Sequence, residues 1–270
     1  MINYQDLNEC GYVVVPNFLT GEEISILEED HNTSTVEYGK YGGIKVVSTH
    51  VIHKFTNKLL LTLSDIRKTS LVKADIIIYP GIYVNNKKIF FDWHQEHESW
   101  YLENSSINHL NFYIPIKKEY SNKSGISLIP NNMLPDCPID LINKGARRFF
   151  PGKKDTNSTF VIDEDLGGSF KLPFNIENYA VSPNIIPGDL LLVRGDVIHK
   201  TQDNETERHA VSFRCTFGNN MINKTRLFSG CKTKLEYLDN NKQMYSYIKS
   251  IFGDEDNILL SKIISELNKV

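Results

Sequence analysis

Phe90-Phe91-Asp92-Trp93-His94-Gln95-Glu96-His97-Glu98 is an aromatic-rich run in which two potential metal ligands stand two residues apart. Aromatic residues favour extended chain, and strand side chains alternate between faces. Residues 89–96 therefore read as a strand that presents His94 and Glu96 together on one face. A charged face on so apolar a strand needs a partner or a metal, because an unpaired buried charge is costly. An imidazole beside a carboxylate supplies two thirds of a facial metal site built from two histidines and one carboxylate. His97 falls on the opposite face and reads as structural, while Glu98 shares the face of Glu96 but lies further along.

The missing ligand has a candidate downstream. Residues 187–199 read as a Pro-Gly-Asp turn, a buried strand (Leu190-Leu191-Leu192-Val193), a second turn, and then His199. Beyond it, Arg208, Ala210, Ser212 and Arg214 share one face of a strand by the same alternation. An arginine pointing into a β core is expensive unless it meets an anion, and its planar fork suits a carboxylate bidentately. Thr201 can add a hydroxyl to the same carboxylate. The combined device holds Fe(II) through His94, Glu96 and His199, lets a keto-acid chelate the metal, and leaves one position for dioxygen.

The rest of the chain predicts mostly β structure with flanking helices. Residues 11–16 form a β-prone run ended by proline. Thr20 and Glu23 have the spacing of a capping box at the head of a helix. Leu59, Leu60, Leu63 and Ile66 predict a helix over 58–69. Strands are expected at 74–79 (closed by a Pro80-Gly81 turn), 107–116, 125–130, 160–162, 190–193 and 210–217. Strands without helices between them favour a sandwich or jelly roll over a βαβ fold. The polar, proline-bearing stretch 131–157 reads as a functional loop or lid. Its Lys144, Arg147, Arg148, Lys153 and Lys154 raise the option of an anionic substrate, against a merely solvated loop. The chain ends in an amphipathic helix over 258–267.

Composition narrows the class. The 270 residues carry 30 Lys and Arg against 33 Asp and Glu, a net charge of −3 with no long basic run, which argues against nucleic-acid binding. No apolar stretch approaches the ~18–20 residues of a membrane span, and residues 1–10 lack the pattern of a secretory signal. Four scattered cysteines (Cys10, Cys137, Cys215, Cys231) predict free thiols in a cytoplasmic protein. Arg194-Gly195-Asp196 matches an adhesion tripeptide, but it borders a core strand and is set aside.

At these residues the chain resembles the phytanoyl-CoA dioxygenase-like family of Fe(II)/2-oxoglutarate-dependent oxygenases, which includes the ectoine hydroxylases. Residues 11–19 are similar to the family's opening strand, and Trp93-His94-Gln95-Glu96 to its iron motif. Residues 187–208 are similar to its closing motif, with His199, Thr201, Asn204 and Arg208 in the expected places. The resemblance implies His94, Glu96 and His199 as iron ligands, and Arg208 with Thr201 as holders of the 2-oxoglutarate carboxylate. It also places Trp100 in the cosubstrate pocket. Glutamate replaces the usual aspartate and still reaches a metal; a small residue there would have suggested a halogenase. The interval from His199 to Arg208 is short for the family, which keeps Arg214 as the alternative carboxylate holder. The family's usual Pro-Gly-Ser-His is Pro130-Asn131-Asn132-Met133 here, and the last ~50 residues resemble nothing in it.

The expected architecture is a double-stranded β-helix (jelly roll, cupin-like) over residues 1–217, with a C-terminal helical extension, 218–270, packed on the same domain. The expected function is an Fe(II)- and 2-oxoglutarate-dependent oxygenase hydroxylating a small molecule. The alternative is a jelly-roll module that binds a metal, sugar or peptide without redox chemistry. A hydrolytic zinc enzyme is the weakest option, since no zinc-protease motif or general base stands out. Oligomeric state is left open.

Overall fold

The computed structural model describes residues 4–34, 44–85, 90–96, 106–135, 147–152, 157–163, 167–229, 242–267 and 269. The chain opens with the one-turn helix α1 (Asp6–Glu9), strand β1 (Tyr12–Val15) and helix α2 (Gly21–Thr33). The capping box forms as expected: the Glu23 N–H donates to the Thr20 hydroxyl at 3.2 Å, and the Thr20 N–H donates to the Glu23 carboxylate at 2.8 Å. Helix α3 (Thr49–Thr69) starts well before residue 58, because Val51, Ile52 and Phe55 extend the buried stripe of Leu59, Leu63 and Ile66. The polar residues interleaved with that first part, among them His50, His53, Lys54 and Asn57, obscured the periodicity.

The remaining core elements are strands. They are β2 (Ile44–Val46), β3 (Ile76–Asn85), β4 (Leu110–Lys118), β5 (Ile126–Ile129), β6 (Arg147–Pro151), β7 (Thr159–Asp163), β8 (Ser169–Leu172), β9 (Leu190–Arg194), β10 (Ile198–Thr201) and β11 (Arg208–Thr216). The larger sheet is antiparallel, with strand order β1-β9-β4-β11-β3-β2. A facing sheet contains β5 paired with β10, and β6-β7-β8. Residues 90–96 lie between these two parts. His94 and His199 exchange both backbone hydrogen bonds at 2.9 Å, while Phe149 N–H donates to the Trp93 carbonyl at 3.0 Å. The described part of the segment expected as a strand over 89–96, residues 90–96, thus joins β10 to β6, although among the described residues only His94 forms bridges to both neighbours. Two facing antiparallel sheets make the predicted jelly roll.

The central strands are buried on both faces, and alternation sorts their side chains. Leu190, Leu192, Val211, Phe213 and Cys215 pack against Leu27, Phe55, Leu59 and Leu63 of the helix layer. Leu191, Val193, Ala210 and Tyr113 turn the other way, toward Ile126 and Leu128 of the second sheet. Trp93, Ile129, Phe149, Val161 and Ile198 close the far side of that sheet.

Two expectations fail here. Pro80-Gly81 does not end a strand; β3 runs through it with a shift in register, so that Ser212 faces Ile82 and Arg214 faces Ile78. The glycine makes the passage possible, since a Cβ on Gly81 would stand 2.8 Å from the Phe213 ring. Replacing Gly81 with Ala should therefore destabilise the fold by about 1–3 kcal/mol, as overpacked cores do. Urea unfolding would read this as a lower midpoint at unchanged slope; an unchanged midpoint would mean that the bulge yields without cost. The stretch 131–157 is not all loop either, because Arg147–Pro151 is strand β6. Arg147 is buried with its Nε 3.6 Å from an Asp163 carboxylate oxygen, so it belongs to the sheet and not to a solvated loop. Lys144, Lys153 and Lys154 lie outside the described residues.

Beyond β11 come β12 (Met221–Asn223), α4 (Lys224–Ser229), α5 (Lys242–Phe252), β13 (Asn257–Leu259) and α6 (Leu260–Leu267). The terminal helix begins at Leu260; Ile258 and Leu259 belong instead to β13, which pairs with β12. Ile222, Leu227, Phe252, Ile258 and Ile263 form a core of their own, which Ile76 at the start of β3 joins. Among the described residues no helix is long and apolar enough to cross a membrane, and Cys10 and Cys215 are free thiols.

Candidate metal centre

Residues 90–96 and β10 bring the three candidate metal ligands together through backbone pairing. His94 and His199 are direct cross-strand partners, so their side chains are neighbours on one face, with ring centroids 4.4 Å apart. Glu96, two residues on, returns to that face and places Oε1 3.5 Å from His199 Nε2. One ligand atom from each of the three residues lies within 4.8 Å of the others.

The surroundings orient each ligand. His94 Nδ1 is 2.6 Å from the Asp92 carbonyl, and His199 Nδ1 is 2.9 Å from the Val197 carbonyl. A carbonyl only accepts, so each Nδ1 carries the proton and each Nε2 keeps its lone pair for the centre. Glu96 is buried, and Asn111 of β4 donates to its Oε1 at 3.1 Å. Asn111 is itself fixed by the Ser212 hydroxyl, which donates to its side-chain oxygen at 2.5 Å. Arg214 Nε stands 3.9 Å from Glu96 Oε2. Burial pushes the Glu96 carboxyl upward, but the opposing charge of the Arg214 guanidinium leads in holding it well below the usual carboxylate range. Glu96 is thus already a carboxylate at neutral pH, in the form a metal requires.

The turns behind the site are anchored as well. Glu96 N–H donates to the Gly195 carbonyl at 3.1 Å, and the Gln95 side chain donates to the Asp196 carbonyl at 2.8 Å. Arg194 Nε donates to Asp196 at 2.9 Å with both residues buried, so the adhesion-like tripeptide is a structural brace of the β9–β10 turn. On the outer face the Trp93 indole and the Lys200 ammonium both donate to Glu177, at 2.8 and 2.9 Å.

A second polar cluster forms at the other end of β11. Arg208 is almost completely buried, and its Nη1 donates to the Tyr113 hydroxyl and to the Gly125 carbonyl, the latter at 3.3 Å. Its guanidinium carbon lies 5.3 Å from the Tyr113 ring centroid. Thr201 shares the β10 face of His199, and its hydroxyl accepts the Phe91 N–H at 3.1 Å, which leaves its own proton to donate. The two arginines therefore occupy different places. Arg214 stands at Glu96, and Arg208 lies six residues away along the strand, about 20 Å between backbones. Trp100, His97 and Glu98 lie outside the described residues.

Asn111 and Tyr113 were not picked out as site residues. Their signal was in the sequence: Leu110-Asn111-Phe112-Tyr113-Ile114 is an apolar strand carrying an amide and a phenol on one face.

No protein-family model and no curated protein sequence matches the chain. Solved structures do resemble it in fold. The non-heme alpha ketoglutarate dependent epimerase SnoN from nogalamycin biosynthesis is 13% identical over 80% of this chain and 82% of its own, with a TM-score of 0.50. EctD from S. alaskensis, solved with 2-oxoglutarate and 5-hydroxyectoine, is 12% identical over 80% of this chain and 76% of its own, with a TM-score of 0.51. At such identities the likeness is one of architecture: the chain has the jelly-roll fold of these proteins.

Proposed function

We propose that the protein is an Fe(II)- and 2-oxoglutarate-dependent oxygenase of the phytanoyl-CoA dioxygenase-like type, hydroxylating a small molecule at a C–H bond. The observation that carries this reading is the His94–Glu96–His199 cluster, half-buried at His94 and buried at the other two, with both imidazole Nδ1 atoms tied to carbonyls. Two neutral imidazoles and one ionised carboxylate on one face of a sheet fit divalent iron with open positions left over. His94, Glu96 and His199 hold the metal. Arg208 and Thr201, with Tyr113, receive the distal carboxylate of 2-oxoglutarate. Bound iron and cosubstrate supply the oxidising chemistry, in which 2-oxoglutarate and dioxygen give succinate, carbon dioxide and a hydroxylated product. The chain's own share is placement and electrostatics. Asn111 and Arg214 keep Glu96 aimed at the metal, and Tyr113 steadies the Arg208 fork. The likeness in fold to SnoN and EctD, whose structures hold alpha-ketoglutarate or 2-oxoglutarate, supports the reading.

The test is anaerobic. Fe(II) followed by 2-oxoglutarate is expected to give the visible charge-transfer absorption of a chelated keto-acid. Admission of air should then release succinate. A folded, iron-loaded protein without that absorption would overturn the proposal in favour of a jelly-roll binding module.

A further inference from the structure

The strand that carries Tyr113 also carries a cation that the site described so far does not use. Along β4, Tyr113 faces the second sheet, and the next inward partner of β11 is Pro115, opposite Ala210. The alternation then breaks. The register shifts between His209 and Ala210, and Ile116 and Lys117 both lie on the helix side with His209. This extra residue brings Lys118 round to the inner face, directly opposite Arg208. Lys118 Nζ donates to the Ser121 carbonyl at 2.7 Å and to the Ile185 carbonyl at 3.0 Å. Among the described residues no carboxylate lies within ion-pair distance of it. Gly125, whose carbonyl accepts from Arg208, sits between the two cations: a Cβ built on it would be 3.8 Å from Lys118 Nζ.

Like charges directly opposite on a sheet repel, and more so where water is scarce. The Ser121 and Ile185 carbonyls and the charges of Asp203 and Asp189 offset part of that repulsion, and an anion between the two cations would offset more of it. We propose that Lys118 is a second cation of the cosubstrate pocket, so that the carboxylate received by Arg208 is held by two positive charges instead of one. The inference rests on the reading of Arg208 given above and adds a residue to it. Burial first, and then the Arg208 charge, bring the Lys118 ammonium down to about 8, against the opposing pull of Asp203 and Asp189. Both acids are held by backbone N–H groups, and among the described residues neither forms an ion pair with Lys118. Asp203 accepts from the Ser124 and Glu205 N–H groups, and Asp189 from those of Asn17 and Ile186. Tyr113 is the other titratable group at the pocket, and burial raises its phenol above the ordinary value. Lys118 is therefore the group whose charge changes between pH 7 and 9. Its charge is half lost at about 8 and largely present a unit below, so affinity for a carboxylate should fall as pH rises through that value.

The experiment titrates 2-oxoglutarate into the Fe(II)-loaded protein under anaerobic conditions and reads binding from the visible absorption. Lys118→Gln is expected to weaken binding on the order of tenfold at pH 7, with Lys118→Arg close to wild type. Wild type should lose affinity between pH 7 and 9, whereas Lys118→Arg should not, because a guanidinium stays charged. A mere tether of the 119–125 turn would shift melting temperature but give no such pH split. Wild-type affinity in Lys118→Gln, combined with loss in Arg208→Ala, would overturn the role of Lys118 and leave the oxygenase reading intact. If wild type shows no absorption at all, the oxygenase reading fails, and this inference with it.

Discussion

Replacing His199 with Ala is expected to abolish Fe(II) binding and all turnover of 2-oxoglutarate while leaving the fold intact. In the proposed centre the imidazole is one of three ligands, and its Nδ1 bond to the Val197 carbonyl serves only to aim Nε2 at that centre. Even disturbing such an orienting partner commonly costs 10–100-fold in metal affinity, and removing the ligand itself costs more. What remains is His94 and Glu96, a pair too weak to hold Fe(II) at micromolar concentrations. The backbone pairing of His199 with His94 does not depend on the side chain, so β10 and residues 90–96 should stay in register. Anaerobic iron titration with a melting curve on the same sample checks both parts. Iron binding retained in a normally folded His199→Ala protein would remove His199 from the centre and sink the ligand set.

How far this centre was legible in the sequence depends on distance along the chain. His94 and Glu96 are two residues apart, so the strand period alone put them on one face. His199 is more than a hundred residues away, and only the turn–strand–turn pattern before it singled it out. That it lies directly opposite His94 is a fact of sheet register, which alternation does not determine. The inward face of β11 was readable for the same reason as the metal pair: Arg208, Ser212 and Arg214 alternate with Val211, Phe213 and Cys215, and the structure puts them on opposite sides of the strand. Bulges were invisible. One lets β3 pass through Pro80-Gly81, and another turns Lys118 inward. In both cases a chain segment was read as regular, or as broken, on local propensity when packing across the sheet decided it. Strand β6 was missed because Arg-Arg-Phe-Phe-Pro shows no alternation in residue type, although its burial alternates in space.

The two arginines of β11 were interchangeable as carboxylate holders in the sequence, and their surroundings separate them. Arg208→Ala is expected to raise the 2-oxoglutarate requirement about 100-fold, because losing one partner of a buried, charge-assisted pair costs 2–5 kcal/mol at roughly 1.4 kcal/mol per decade. Iron affinity measured without cosubstrate should hardly change, since Arg208 bonds to Tyr113 and Gly125 and touches none of the ligands. Arg214→Ala should do the reverse. It takes a positive charge from beside the buried Glu96 carboxylate. Iron affinity should then fall by about one to two orders of magnitude, as it does when a group orienting a ligand is lost. At saturating iron the 2-oxoglutarate requirement should stay near wild type. Asn111 still donates to Glu96 in that variant, so the carboxylate keeps one of its two supports and the site is weakened, not erased. Two titrations on two variants therefore give a crossed pattern, one change in cosubstrate and one in metal. Should Arg214→Ala instead raise the 2-oxoglutarate requirement with iron affinity preserved, the carboxylate would lie at the Glu96 end of β11. The assignments of Arg208, Thr201 and Lys118 would then all have to be given up together.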